Sequence, residues 1–187
     1  DVYKRQAKVP LYIAAYDIET YSDSGNFPVS SNPTDEIIQI GVSFRYTDDM
    51  LSSYRRIVFV SGSCTPSSDT SVEFVSCLNE KDLLNKFQEC VRFENPDIIA
   101  GYNTFGFDDS YIADRCAYNR LIFNIGRVEI DDWKNRGATT YAHTEAKKFE
   151  LASGTFAVRY IKVPGRLAID LLLSVRREQN LDSYKLD

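Results

Sequence analysis

Leu11-Tyr12-Ile13-Ala14-Ala15-Tyr16 is apolar at every position and runs directly into Asp17-Ile18-Glu19-Thr20, a pattern that predicts a strand buried on both faces. A polar loop rich in Ser, Asn, Pro and Gly spans Tyr21 to Asp35. Glu36 to Phe44 then reads as a second strand and Tyr54 to Val60 as a third. Between Glu80 and Phe93 the residues Leu83, Leu84, Phe87, Cys90 and Val91 recur at helical spacing, with Pro96 just past the helix end. Asp97 to Tyr102 predicts a short strand and Asp108 to Tyr118 a helix. From Leu121 to Gly154 no clean period survives, so this stretch reads as an irregular insertion. Phe156 to Val163 alternates as a strand, Pro164-Gly165 makes a turn, and Leu167 to Arg177 reads as a helix. Strands interleaved with helices in this order predict an α/β domain around a mixed sheet.

Composition narrows the class. With 187 residues, 43% of them hydrophobic, the chain has enough apolar material for one packed core. Its apolar runs fall far short of a bilayer span and no signal-peptide pattern opens it, so no membrane partner and an intracellular location are expected. Asp1 to Gln6 joins abruptly to the apolar run beyond it and resembles translated adapter sequence, so it is set apart from the domain at 7–187. Cys64, Cys77, Cys90 and Cys116 lack the paired spacing of a zinc or redox site and read as idle thiols. The net charge of −5 hides an asymmetry: residues 1–119 carry 10 basic and 18 acidic side chains, residues 120–187 carry 12 and 9. The acidic part suits metal ions and the basic part suits phosphates.

Side chains alternate across a strand, so Asp17 and Glu19 share one face while Ile18 points to the other. Two carboxylates on one face repel each other, and a hard divalent cation between them would relieve the repulsion; a solvated acid pair is the alternative. In Gly101-Tyr102-Asn103-Thr104-Phe105-Gly106-Phe107-Asp108-Asp109 a buried strand ends in a polar loop and a helix begins. Asp108 sits at that helix start, near free N–H groups and the positive dipole end, as a functional acid or as a simple cap.

Tyr16-Asp17-Ile18-Glu19-Thr20 resembles the first exonuclease motif of the family B DNA polymerases, and Asn103-x-x-x-Phe107-Asp108 resembles the second. Gly165 to Asp170 and Leu181 to Asp187 resemble later blocks of the same family, in the same order. The resemblance, closest to the eukaryotic and large-DNA-virus replicative branch, implies a ribonuclease H-like fold: a mixed sheet flanked by helices, incomplete at its C-terminus. It also implies two divalent ions, Mg²⁺ or Mn²⁺, held by Asp17, Glu19 and Asp108, with Glu19 positioning the attacking water. Thr20, Asn103 and Phe107 would bind the single-stranded 3′ end of DNA. The remainder of a polymerase chain and replication accessory factors would be its partners.

The family's third motif, a Tyr followed four residues later by Asp, is absent. Tyr184 has Asp187 three residues on and does not replace it. The chain is therefore expected to stop short of that motif and to be weakly active alone. His143 lacks the acid that a histidine-type exonuclease needs five residues later and reads as an exposed or loop histidine. Asp170 reads as a helix cap, and Lys147-Lys148 and Arg176-Arg177 as either solvated charges or phosphate contacts. A non-catalytic nuclease-fold scaffold and a free-standing exonuclease are the alternatives.

Overall fold

The computed structural model describes residues 9–48, 55–65, 68–127, 143–151, 154–179 and 181–186. The segment Asp1 to Gln6 and residues 128–142 of the expected insertion lie outside these. The apolar run and its acidic continuation form a single strand, β1 (Tyr12–Thr20), followed by β2 (Ile37–Tyr46), β3 (Arg55–Ser61) and β4 (Val72–Cys77). Next come α1 (Glu80–Glu94), β5 (Ile98–Gly101) and α2 (Asp108–Tyr118). The last elements are β6 (His143–Leu151), β7 (Gly154–Lys162), β8 (Leu167–Asp170) and α3 (Leu171–Glu178).

Six strands make one mixed sheet in the order β4-β3-β2-β1-β5-β8. β1 is antiparallel to β2 and parallel to β5, which is parallel in turn to β8. β1 departs from the expected two-sided burial. Ala14, Tyr16 and Ile18 are buried, whereas Ala15, Asp17 and Glu19 on the opposite face are exposed. The small Ala15 makes the stretch look continuously apolar, yet the strand alternates, and its acids lie on the open side.

The stripe read from residues 80–93 builds α1 as expected. Leu83, Leu84, Phe87 and Val91 are fully buried, and Phe87 meets Tyr16 and Phe59 edge-on at centroid distances of 5.5 and 6.3 Å. Asn79 caps the helix by accepting from the Asp82 N–H at 3.0 Å, while Asp82 accepts from the Leu78 N–H at 2.9 Å. Asn95 ends it in the left-handed conformation. Glu80, in the first turn of α1, receives Arg115 of α2 through two hydrogen bonds of 2.6 and 2.7 Å, and both side chains are almost wholly buried. Such a pair tolerates burial because its remaining groups are satisfied: Glu80 also accepts from Ile37 N–H and Asn119, and Arg115 donates to the Ser30 and Asn32 carbonyls. The last two bonds fasten the polar loop at 21–35 to α2.

Further expectations change. The stretch expected to be irregular contains β6, which pairs antiparallel with β7 as a separate two-stranded sheet. β6 itself is rich in polar residues, with Glu145 opposite Tyr160 among its cross-strand pairs, so no hydrophobic period announces it. His143 accordingly stands on a strand, half-buried, 3.2 Å from Glu145. Leu167–Asp170 is a strand, not the first turn of a helix, because it completes the parallel ladder with β5; the helix begins at Leu171. A further strand, β4, comes after the third one; only six residues long and mostly half-buried or exposed at the sheet edge, it carries little pattern. The four cysteines are free, and burial pushes the Cys116 thiol up to about 12.

Candidate active site

The open face of β1 presents Asp17 and Glu19 side by side on the strand, with a register shift between Glu19 and Thr20. β5 runs beside β1 in the same direction and ends at Gly101. A side chain at Gly101 would meet Thr104 Cγ2 at 2.1 Å and the Tyr16 carbonyl at 3.0 Å, so only glycine lets this turn close against β1. Asn103 comes next in the left-handed conformation, φ 63°, and its carbonyl accepts from the N–H groups of Gly106 and Phe107.

Asp170 holds this turn from outside. One of its carboxylate oxygens accepts from Asn103 N–H at 2.9 Å and the other from Phe105 N–H at 3.0 Å, while it also caps α3 through Leu172 N–H at 2.9 Å. The cap expected from the sequence is therefore present, together with two long-range bonds that no local pattern announces.

Asp108 opens α2 without acting as its cap residue, a position taken by Phe107. Its buried carboxylate accepts from Ile18 N–H at 3.1 Å and so joins the start of α2 to β1. Burial, and then the neighbouring Asp17 charge, push the Asp108 carboxyl up to about 7 against the pull of those backbone N–H groups. Burial raises Asp17 as well. Asp109, next in sequence, faces the interior instead: it accepts from the Tyr16 hydroxyl and from Ile161 N–H at 2.9 Å. One acid thus faces the site and its neighbour ties β1, α2 and β7 together.

Asp17, Asn103, Phe107 and Asp108 line one cavity of about 800 Å³. Glu19 and Thr20 are not among its lining residues, although Glu19 shares the face of Asp17. Among the described residues no three carboxylate, thiol or imidazole groups converge as a ready-made ion site. The donor set still fits a divalent cation: Asp17 and Asp108 offer hard carboxylate oxygens to one cavity, and the Asp17 charge helps to raise Asp108. The sequence pattern missed Phe27, from the polar loop, whose ring meets Phe107 edge-on at 5.2 Å. It also missed Tyr102 and Tyr184, which line the same cavity. A lone aromatic in a polar loop carries no periodic signal, so only the fold reveals it.

Residues 2–187 match the family described as DNA polymerase family B, exonuclease domain. The chain is 34% identical over 184 residues to the DNA polymerase of Paramecium bursaria Chlorella virus NY2A, covering 95% of this chain and 19% of that protein. It is 33% identical over 180 residues to the DNA polymerase delta catalytic subunit of Caenorhabditis elegans, covering 95% of this chain and 15% of that protein. The chain thus spans a fifth or less of the length of these relatives. The fold is similar to that of the family B DNA polymerase from the archaeon Pyrobaculum calidifontis, with a TM-score of 0.52 and 21% identity, over 87% of this chain and 16% of that one. Domains of this family are 3′→5′ exonucleases that use divalent metal ions. Its sheet, its motifs and its relatives agree: the chain belongs to the exonuclease domain family of the family B DNA polymerases.

Proposed function

We propose that the chain is the proofreading part of a longer family B DNA polymerase and hydrolyses the terminal phosphodiester of a single-stranded 3′ DNA end, releasing nucleoside monophosphates. The observation that carries this reading is the meeting of Asp17 and Asp108 in a cavity that Asn103 and Phe107 also line. Asp17 and Asp108 would hold the ions, and Glu19, on the same face of β1, would join them and orient the attacking water. The bound ions would supply a hydroxide-like nucleophile and stabilise the leaving 3′ oxygen. The Asn103 amide hydrogen-bonds the strand, and the Phe107 ring, braced by Phe27 and Tyr111, gives the terminal base an apolar surface. Asp109 and Asp170 take no part in the chemistry; they fix the helix start and the turn on which Asp108 and Asn103 sit.

The test is trimming of a labelled single-stranded oligonucleotide by the full-length gene product with Mg²⁺ or Mn²⁺. Asp17→Ala is expected to abolish trimming while single-stranded binding persists. Undiminished trimming by Asp17→Ala would overturn the assignment. The scaffold alternative instead requires wild-type protein to bind the strand and leave it intact under both metals. As a second readout, Mn²⁺ is expected to raise the Tm of the 187-residue chain and to leave that of Asp108→Asn unchanged.

A further inference from the structure

The two arginines at the end of α3 look alike in sequence and part company in the structure. Arg177 is exposed and pairs with Glu178 at 3.3 Å, a solvated surface charge. Arg176 is half-buried and lines the cavity that holds Asp17 and Asp108. Its guanidinium lies 4.9 Å from the centroid of the Tyr184 ring. Lys185, the next residue along, lines the same cavity and is exposed.

We propose that Arg176 and Lys185 are positioning residues that hold the phosphates of the single-stranded end as it enters this cavity; the proposal rests on the function argued above. The electrostatic reason is direct. Asp17, Asp108 and Asp182 all line the cavity, so a strand bearing one negative charge per nucleotide is repelled unless cations stand along its path. Arg176 and Lys185 supply those cations in the lining of the same cavity.

Their placement is built rather than incidental. The Tyr184 hydroxyl donates to the Gln179 carbonyl at 2.9 Å and accepts from Leu181 N–H at 3.3 Å, which fixes the ring on which Arg176 stacks. The Tyr184 carbonyl in turn accepts from the Tyr102 hydroxyl. Tyr102 immediately precedes Asn103, so the cationic wall is tied to the same turn that presents Asn103. A guanidinium held over an aromatic ring loses little further freedom when it meets a phosphate.

The test is fluorescence-anisotropy binding of a labelled oligodeoxythymidine to the 187-residue chain in EDTA, across a range of salt concentrations. For a single strand each lost phosphate contact lowers the slope of log K against log salt by about 0.7, or roughly fivefold in affinity near 0.1 M salt. Arg176→Gln and Lys185→Gln are each expected to show that loss, the double variant the sum, and Arg176→Lys the wild-type slope. A merely structural role for Arg176 would lower Tm in both Arg176 variants and leave the slope unchanged. Phe107→Ala separates the two levels of the argument, because it weakens binding without altering the slope. If wild type and Phe107→Ala bind as stated and the Arg176 and Lys185 variants keep the wild-type slope, the phosphate assignment alone is overturned. If wild type does not bind the oligonucleotide, both the functional reading and this inference fall.

Discussion

Replacing Asp170 with alanine removes one carboxylate and leaves three backbone N–H groups without an acceptor. Two of them, on Asn103 and Phe105, belong to the turn that presents the site, and the third is the Leu172 N–H that Asp170 caps. Hydrogen bonds to a charged partner contribute about 1.5–3 kcal/mol each, and an N-cap about 0.5–2 kcal/mol. Water reaches part of the turn, because Asn103 is exposed, which offsets some of the loss. The expected cost of Asp170→Ala is therefore about 3–5 kcal/mol, read as a drop in Tm on the order of 10 °C for a domain of this size. Asp170→Asn should cost less, about 1–2 kcal/mol. Its single oxygen still serves Asn103 and Leu172, which share one oxygen of the native residue, while its amide faces the Phe105 N–H. Urea unfolding followed by circular dichroism gives both numbers, and hydrogen exchange at the Asn103 and Phe105 amides reports the turn itself. A cost below about 1 kcal/mol for Asp170→Ala, or retained protection of both amides, would refute the reasoning.

The buried polar groups carry further consequences. Glu80→Ala strands the Arg115 guanidinium in the core and is expected to cost about 3–5 kcal/mol in urea unfolding, most of it recovered when Arg115→Met is added. Tyr16→Phe takes one of two partners from the buried Asp109 carboxylate and should cost about 1–3 kcal/mol by the same measurement. Asp97 accepts from Tyr12 N–H and from Arg127, and these bonds hold its carboxyl below the usual range. A depressed folded value gives stability that is complete above the unfolded value near pH ~4 and is lost as pH falls through the folded value. Asp97→Asn is therefore expected to flatten the acid limb of the stability profile below about pH 4, measured by thermal unfolding across pH.

How much was legible in the sequence depended on whether the signal was local. Alternation alone placed Asp17 and Glu19 on one face, and the stripe from Leu83 to Val91 gave α1 its buried side. Asp108 was found at a helix start for the same local reason. What escaped was set by contacts distant in the chain. Asp170 reads as a cap from its neighbours, but its bonds to Asn103 and Phe105 span 67 and 65 residues. β8 exists because β5 offers it a parallel edge, a partnership that four residues cannot advertise. β6 is held by Glu145, Tyr160 and Lys162 pairing across a hairpin, which looks like scattered polarity when read along one strand. Phe27 enters the site only because a loop happens to fold towards it, and only the fold separates Arg176, which lines the site, from Arg177, which does not.

The two adjacent acids that open α2 have an implication for how this gene tolerates change. Asp108 turns to the cavity and Asp109 to the interior, about 100° apart around the helix. Losing or gaining one residue between Asn103 and Phe107 would rotate the helix start by that angle, moving one acid out of its role without supplying the other. The turn is thus a reading frame in three dimensions. Substitutions there are graded in their effect, whereas a one-residue insertion or deletion is all-or-none. Variation in length should therefore collect in loops that do not touch the helix start, and not in 21–35, which Arg115 and Phe27 tie to it.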